Sequence, residues 1–196
     1  MDSIAPFRIT VCGIKELGAF CNSNASHVLS ILDPDWPVPE VFGEFGEHEK
    51  LELRFNDVIE NLPDQVPPSP EHVAALLAFG RDLMAEPPND AHLLVHCHAG
   101  ISRSTASMAL ILAQALPEAP APAILGEILR IREKAWPNLR LLELGEAMIG
   151  RNGELSAAAR AVYRHQLELR PHLAEFFEQG GRGREVAAAR LASAAG

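Results

Sequence analysis

Apolar and polar positions alternate in two short stretches of the N-terminal half, and two other stretches are mostly apolar. Alternation over residues 7–12 and 51–55 predicts strands with one buried face. The mostly apolar stretches at residues 27–32 and 93–95 predict buried strands. Because each strand leads into a loop or a helix, the pattern predicts an α/β fold. We expect a central, largely parallel sheet of about four to five strands flanked by helices.

Helical patterns dominate after the last of these strands. The segments predicted to be helical are residues 15–21, 104–116, 121–135, 139–150 and 154–179. A further helix is predicted to start at Ser69, with Ser as N-cap, Pro70 in the first turn and an acid behind it. The tail from residue 180 onward is rich in glycine and alanine, so we expect a weak helix there with a mobile end.

The composition is that of an ordinary globular chain. Its 196 residues suffice for one well-buried domain, and 47% hydrophobic with 22% charged residues is typical of such a domain. A net charge of −9 argues against a nucleic acid or an anionic membrane as partner. The start of the sequence has no basic segment followed by an apolar one, so a secretory signal is not expected, and no apolar run is long enough to span a bilayer.

The cysteines indicate a reducing environment. Cys12, Cys21 and Cys97 have no metal-ligand spacing, and three cysteines cannot all pair in disulfides. Free thiols persist in the cytoplasm, so a cytoplasmic location is expected. No metal site is predicted.

Residues 96–105 read HCHAGISRST and join the last predicted strand to a helix. The five residues between Cys97 and Arg103 can wrap around a tetrahedral oxyanion, with backbone N–H groups pointing inward above the helix N-terminus. A thiol in that position ionises readily. Arg103 adds a planar fork that can bind two phosphate oxygens, and Gly100 allows a positive φ angle. The segment therefore predicts a phosphate site with a built-in nucleophile.

The pattern His-Cys-x5-Arg-Ser resembles the active-site signature of the cysteine-dependent protein tyrosine phosphatases, and most of all their dual-specificity branch. The resemblance covers about residues 5–150, so we expect a catalytic domain over 1–150 and a C-terminal helical extension over 151–196. It implies that Cys97 is the nucleophile, that a phosphocysteine intermediate forms, and that no metal or cofactor is needed. The residues it assigns to phosphate binding are His98, Ala99, Gly100, Ile101, Ser102 and Arg103.

Three further residues gain a role from the resemblance. Ser104 would stabilise the leaving thiolate, although a hydroxyl there also suits the first turn of a helix. His96 would order the loop and help to keep the cysteine ionised. Asn138, in a Pro-Asn pair, would brace the phosphate loop, and on sequence alone it is equally a helix N-cap. His98 either lines the pocket mouth or is simply solvated.

Two aspartates compete for the role of general acid, which in the family lies on a loop upstream of the cysteine. Asp64 stands at the usual spacing from Cys97. Asp57 lies farther upstream, but it follows the strand over residues 51–55, where the family's acid leaves the sheet. The stretch from Glu60 to Pro68 resembles an insertion that lengthens the spacing. We therefore favour Asp57 and keep Asp64 as the alternative.

The resemblance predicts a phosphatase that hydrolyses phosphomonoesters, most of all phosphotyrosine, and by extension phosphoserine or phosphothreonine. The partner would be a phosphorylated protein or a small phosphomonoester. Two other hypotheses remain. One is a non-catalytic phosphate-binding module, which the presence of Cys97, Arg103 and Ser104 disfavours. The other is a cysteine enzyme of the arsenate reductase or sulfurtransferase type, whose chemistry needs no aspartic acid on the upstream loop.

Overall fold

Four parallel strands form the centre of the protein. The structure is a computed structural model that describes residues 3–40, 45–87 and 90–191. The strands are β1 (Arg8–Gly13), β2 (His27–Leu32), β3 (Glu49–Arg54) and β4 (His92–Cys97), in the sheet order β1-β4-β2-β3. All three pairings are parallel, which confirms the predicted α/β class. The carboxyl ends of the strands therefore share one edge of the sheet, and ligands bind at such an edge in open α/β folds.

Helices follow β1, β3 and β4 along the chain. A 3₁₀ helix covers Ile14–Phe20, and the α-helices are α1 (Pro70–Ala85), α2 (Arg103–Ala115), α3 (Ala121–Ile131), α4 (Leu139–Met148), α5 (Glu154–Leu169), α6 (Leu173–Gln179) and α7 (Gly183–Leu191). The predicted start of α1 is confirmed, since the Ser69 hydroxyl accepts a hydrogen bond from the backbone N–H of His72.

The two faces of the sheet are covered unequally. Side chains of β4 alternate between them, so Leu93, Val95 and Cys97 face the large core formed with the α-helices. Leu94 faces the opposite side, in a small cluster with Cys12 and the 3₁₀ helix residue Leu17. β2 and β4 are buried along their whole length, as their mostly apolar stretches predict.

The prediction of one continuous helix over residues 154–179 is wrong. α5 ends at Leu169 and α6 begins at Leu173. Pro171 lies between them, and a proline has no N–H to continue the hydrogen-bond ladder while its ring clashes with the preceding turn. The break turns the chain back, so that α7 packs against α5.

The region after residue 180 is more firmly packed than its composition suggests. α7 buries Glu185, Val186 and Ala189, so this part of the extension is held against the rest of the protein. The predicted mobile end falls partly on residues 192–196, which lie outside the described residues. Among the helices that the structure describes, none is long and apolar enough to cross a membrane.

Candidate active site

The predicted strand, loop and helix meet at Cys97. Cys97 is the last residue of β4, Arg103 is the first residue of α2, and residues 98–102 connect them. Cys97 is 2% exposed, and its Sγ lies 3.3 Å from the hydroxyl oxygen of the fully buried Ser104. The sulfur therefore lies at the N-terminus of a helix and within reach of a hydroxyl group that can donate to it.

The loop backbone presses directly on the neighbouring strand β1. Gly100 has a φ angle of +68°, and a β-carbon at this position would lie 2.5 Å from the carbonyl carbon of Cys12 and 2.6 Å from its oxygen. On the same side, the N–H of Ile14 donates to the carbonyl of His98 at 3.1 Å. Glycine is thus required at residue 100 both for its φ angle and for lack of space.

Arg132 binds the outside of the loop. Its Nε donates to the carbonyl of Gly100 and its Nη2 to the carbonyl of Ala99, each at 3.0 Å. Glu16 fixes the guanidinium through contacts of 3.1 and 2.8 Å, and it also accepts from the N–H of Gly13 at 2.6 Å. The charged fork therefore holds two consecutive carbonyl groups of the loop in place.

The segment before α4 binds the remaining carbonyls. The N–H of Trp136 donates to the carbonyl of Ile101 at 2.9 Å, and the N–H of Asn138 donates to that of Ser102 at 3.3 Å. Each carbonyl of residues 98–102 thus has a partner outside the loop. In a trans peptide the C=O and the following N–H point in opposite directions. The amide groups are left to face the interior, where they can bind an anion.

Protein groups bind only one nitrogen, Nη1, of the Arg103 guanidinium among the residues that the structure describes. Nη1 donates to the Oδ1 of Asp33 and to the carbonyl of Phe55, both at 2.6 Å. Its Nε is buried and has no hydrogen-bond partner among the residues that the structure describes. A buried donor without a partner is costly, and a phosphate oxygen would satisfy it. The side chain is therefore oriented for the anion that the loop amides can bind.

Asp57 reaches residues 98–102, which are called the phosphate loop after their predicted ligand. Its Oδ1 accepts from the hydroxyl of Ser102 at 2.7 Å and from the Nδ2 of Asn138 at 2.9 Å, and it lies 3.2 Å from the Nη1 of Arg182. Burial alone would raise the pKa of Asp57. The charges of Arg182 and Arg103 and the two hydrogen bonds outweigh burial, so the net pKa is lowered.

Asp64 is held away from the loop. Asn56 and Val66 pair through hydrogen bonds of 2.7 and 2.8 Å, which close the base of the segment between them. Asp57 stands next to this base, whereas Asp64 is exposed in a turn near the far end with a φ angle of +57°. The geometry brings Asp57, and not Asp64, to the phosphate loop.

The Asn138 side chain is the N-cap of α4, which is one of the two roles considered from the sequence, and it also contacts Asp57. Its Oδ1 accepts from the N–H of Leu141 at 3.1 Å as the N-cap of α4, while its Nδ2 donates to Asp57 and to the carbonyl of Val58. One amide side chain thus begins a helix and braces Asp57. This is possible because an amide offers an acceptor at one end and donors at the other.

The two histidines beside Cys97 differ in exposure. His96 is fully buried, and burial lowers its pKa to about 4, so it is neutral near pH 7. His98 is partly exposed, accepts from the N–H of Asp33 at 3.2 Å, and packs its ring against Trp36 at 4.4 Å between centroids. Burial and then the charge of Arg103 lower the pKa of His98. His98 and Trp36, which is 45% exposed, therefore lie together at the surface beside the loop.

Asp33, Arg132 and Arg182 belong to the site without having been predicted from the sequence. Asp33 has a local signal, since it follows β2, the strand beside β4, at the same edge of the sheet. The two arginines have none, because only the tertiary fold brings them to the loop. Cys12, by contrast, lies in the cluster on the face away from Cys97, and burial raises its pKa to about 12.

Within the described part of the chain, no group of three or more His, Cys, Asp or Glu side chains could hold a metal ion. No protein-family model matches the sequence, and no curated protein matches it. Similarity to known proteins is therefore visible at the level of structure.

Solved phosphatase structures share the architecture. Human DUSP28 superimposes with a TM-score of 0.55 at 18% identity, covering 78% of this chain and 100% of that chain. The PTP-2 phosphatase of Cydia pomonella gives 0.56 at 17% identity, covering 74% and 89%. DUSP15 gives 0.51 at 22% identity, covering 87% and 96%. The chain has the fold of the dual-specificity-phosphatase-like cysteine phosphatases, which confirms the resemblance at the level of the fold.

The packing of Gly100 makes a prediction with a matched control. Gly100→Ala and Gly150→Ala both place a β-carbon at a positive φ angle, but only residue 100 lacks space, since nothing lies within 4 Å of a β-carbon at residue 150. In urea unfolding, Gly150→Ala should lower the free energy of unfolding by about 1 kcal/mol. Gly100→Ala should lower it by roughly 1–3 kcal/mol more, because β1 must shift. Vanadate binding should weaken in Gly100→Ala alone. Equal losses and equal vanadate binding in the two variants would show that the loop does not need its close approach to β1.

Proposed function

We propose that the protein is a phosphatase that hydrolyses phosphomonoesters, with phosphotyrosine preferred, through a phosphocysteine intermediate on Cys97. One observation carries the proposal. The carbonyls of residues 98–102 are all bound from outside, and Arg103 Nε is buried without a partner in the described structure. The loop therefore offers donors for an oxyanion around a thiol, which is the arrangement that phosphoryl transfer to sulfur requires.

In the first step, the Cys97 thiolate attacks phosphorus while the bond between phosphorus and the ester oxygen breaks. Charge on the equatorial oxygens is stabilised by the loop amides and by Arg103. The leaving oxygen takes a proton from Asp57, so an alcohol or a phenol departs and a phosphocysteine remains. Residues 98–103 thus bind the phosphate group of the substrate and also stabilise the transition state of its transfer.

In the second step, water attacks the phosphocysteine and the sulfur leaves as a thiolate. Asp57, now a carboxylate, accepts the proton of the water, which restores the acid for the next cycle. Ser104, with its hydroxyl oxygen 3.3 Å from Sγ, donates a hydrogen bond to the leaving thiolate. His96 stays neutral in its buried position and orders the loop.

The lowered pKa of Asp57 sets the pH range of the proposed reaction. An acid must be protonated when the leaving group departs, and the surrounding positive charges favour the ionised form. A bound phosphate dianion brings negative charge close to Asp57 and partly restores protonation. We therefore expect the rate to fall as the pH rises through the range in which Asp57, with substrate bound, loses its proton.

The surroundings of the loop favour an aryl phosphate. The exposed ring of Trp36, packed on His98, offers a flat apolar surface against which a phenyl ring can pack. The loop between Cys97 and Arg103 contains no lysine, which disfavours a highly charged lipid headgroup. A nucleophilic thiol needs a reducing compartment, so the proposal includes a cytoplasmic location and a phosphorylated protein or small phosphomonoester as partner.

The purified protein should hydrolyse an aryl phosphate in the presence of a chelator, because every donor around the phosphate belongs to the chain. Cys97→Ser should abolish turnover and retain phosphoester binding, since an alcohol is a far weaker nucleophile at neutral pH. Cys21→Ser is the matched control and should behave as wild type. Turnover by Cys97→Ser at the wild-type rate would exclude the covalent mechanism. Binding of phosphotyrosine peptides without any turnover by wild type would instead indicate a phosphate-binding module.

The general acid is tested by leaving-group dependence. Asp57→Asn should slow hydrolysis of phosphotyrosine by roughly two to four decades, the usual contribution of a positioned acid. The rate of hydrolysis of a nitrophenyl-type ester should fall much less in this variant, because the nitrophenolate oxygen departs without a proton. Asp64→Asn is the control and should change neither rate. If Asp64→Asn shows the leaving-group dependence instead, the spacing argument is right and Asp57 is not the acid.

A further inference from the structure

The C-terminal extension contributes a buried charge to the candidate active site. Arg182, in the turn between α6 and α7, is 4% exposed, and its Nη1 lies 3.2 Å from the Oδ1 of Asp57. The residue lies in the part of the chain, 151–196, that the sequence places outside the catalytic domain. An arginine from that part therefore contacts the proposed general acid directly.

The position of Arg182 is fixed from several sides. Glu185, one turn along, binds its Nε and Nη2 at 2.8 Å each in a bidentate ion pair. The backbone N–H of Arg182 donates to the carbonyl of Phe177 at 2.8 Å. The Arg182 guanidinium also lies 4.9 Å from the centre of the Phe177 ring. The remaining nitrogen, Nη1, is the one that faces Asp57.

Glu185 connects this arginine to the brace of the phosphate loop. The fully buried carboxylate accepts from the Nε1 of Trp136 at 2.6 Å and from the N–H of Leu139 at 2.9 Å. Trp136 also donates its backbone N–H to the loop carbonyl of Ile101, and its ring stacks on Phe177 at 4.2 Å. The extension is thus bound to the segment that positions the loop.

A buried network of this kind has no clear advantage for stability. Two carboxylates and a guanidinium lose hydration on burial, and well-packed apolar residues often replace such groups at no cost. The network places one full positive charge against one particular carboxylate. That placement is most readily explained by an effect on Asp57 itself.

We propose that Arg182 is a positioning residue for the general acid, and that the C-terminal extension is therefore part of the active site. This inference rests on the proposed function, because a positioned acid has a role only where a leaving group needs a proton. Through its ion pair, Arg182 holds the Asp57 carboxyl group against Ser102 and Asn138 and favours its ionised form.

The consequence for the pH profile has a definite sign. The charged and titratable groups around Asp57 are Arg182 and Glu185 of the extension, Arg103 of α2, His98 of the loop and Asp33 after β2. Among them, Arg182 contributes the largest lowering of the Asp57 pKa. Its removal should raise that pKa, so Asp57 stays protonated to higher pH and the basic limb of kcat/KM moves upward. The acidic limb of the profile should stay in place.

The test compares Arg182→Gln with Arg184→Gln. Arg184 lies in the same segment and forms ion pairs with Glu60 and Glu143 at the surface, so it controls for the loss of an arginine. For phosphotyrosine, Arg182→Gln should move the basic limb upward by roughly 1 pH unit or more and lower kcat by about ten- to a hundredfold. Arg184→Gln should leave the profile as in wild type. In an Asp57→Asn background, Arg182→Gln should have no further effect on the rate.

Arg182→Gln leaves Glu185 buried without its ion partner and can impair folding, so a second variant carries Glu185→Gln as well. Trp136 and Leu139 donate to different oxygens of Glu185, so the single amide oxygen introduced by Glu185→Gln can accept from only one of them. Thermal unfolding therefore has to verify that each variant is folded. Titration of the Asp57 carboxyl carbon by NMR, assigned by its absence in Asp57→Asn, reads the pKa without any turnover. A rise in that pKa on removal of Arg182 supports the ion pair.

Two results would overturn the inference in different ways. A folded Arg182 variant with unchanged Asp57 titration and an unchanged basic limb would make Arg182 a purely structural residue. If wild type hydrolyses no phosphoester, the proposed function fails and the positioning role fails with it. The NMR titration would still decide whether Arg182 controls the ionisation of Asp57.

Discussion

The hydrogen bonds that turn the carbonyl groups of residues 98–102 outward are the constraint on which the rest of the site depends. A loop of this kind can bind an oxyanion only if its amides face inward, and each amide direction follows from a carbonyl fixed on the other side. The partners come from three places in the chain: the end of β1, Arg132 after α3, and the segment before α4. The tertiary fold therefore assembles the proposed phosphate site, and the close contact of Gly100 with β1 leaves little freedom for any other loop conformation.

Charge around the loop is arranged in two linked groups. Asp33 holds one edge of Arg103, which leaves the buried Nε available to an anion. On the other side, Arg182 and Asn138 hold Asp57 beside Ser102. A carboxylate thus orients the arginine proposed to bind phosphate, and an arginine orients the carboxyl group proposed to donate the proton. The two arginines are buried and the two carboxylates are partly exposed, so solvent screens these pairs less than it screens ion pairs at the surface.

The strands, the phosphate loop and its helix could be predicted because their signals are local: apolar runs, a glycine, and a cysteine and an arginine at fixed spacing. The break between α5 and α6 also has a local signal in Pro171, and the prediction of one long helix disregarded it. The site's long-range partners, Arg132 and Arg182, could not be found this way, because their contacts exist only after folding. The choice between Asp57 and Asp64 shows the same limit. The residue spacing from Cys97 favours Asp64, whereas the hydrogen bonds between Asn56 and Val66 close the segment so that Asp57 lies at the site.

The central claim is that Cys97 carries the phosphoryl group during turnover. Rapid mixing of the protein with an activated aryl phosphate, followed by acid quench and mass spectrometry of the peptide that contains Cys97, tests it most directly. We predict a burst of released phenol at early times and a matching amount of this peptide whose mass is increased by one phosphoryl group on the sulfur. Turnover with no phosphorylated Cys97 at any quench time, or phosphorylation at another residue, would contradict the account.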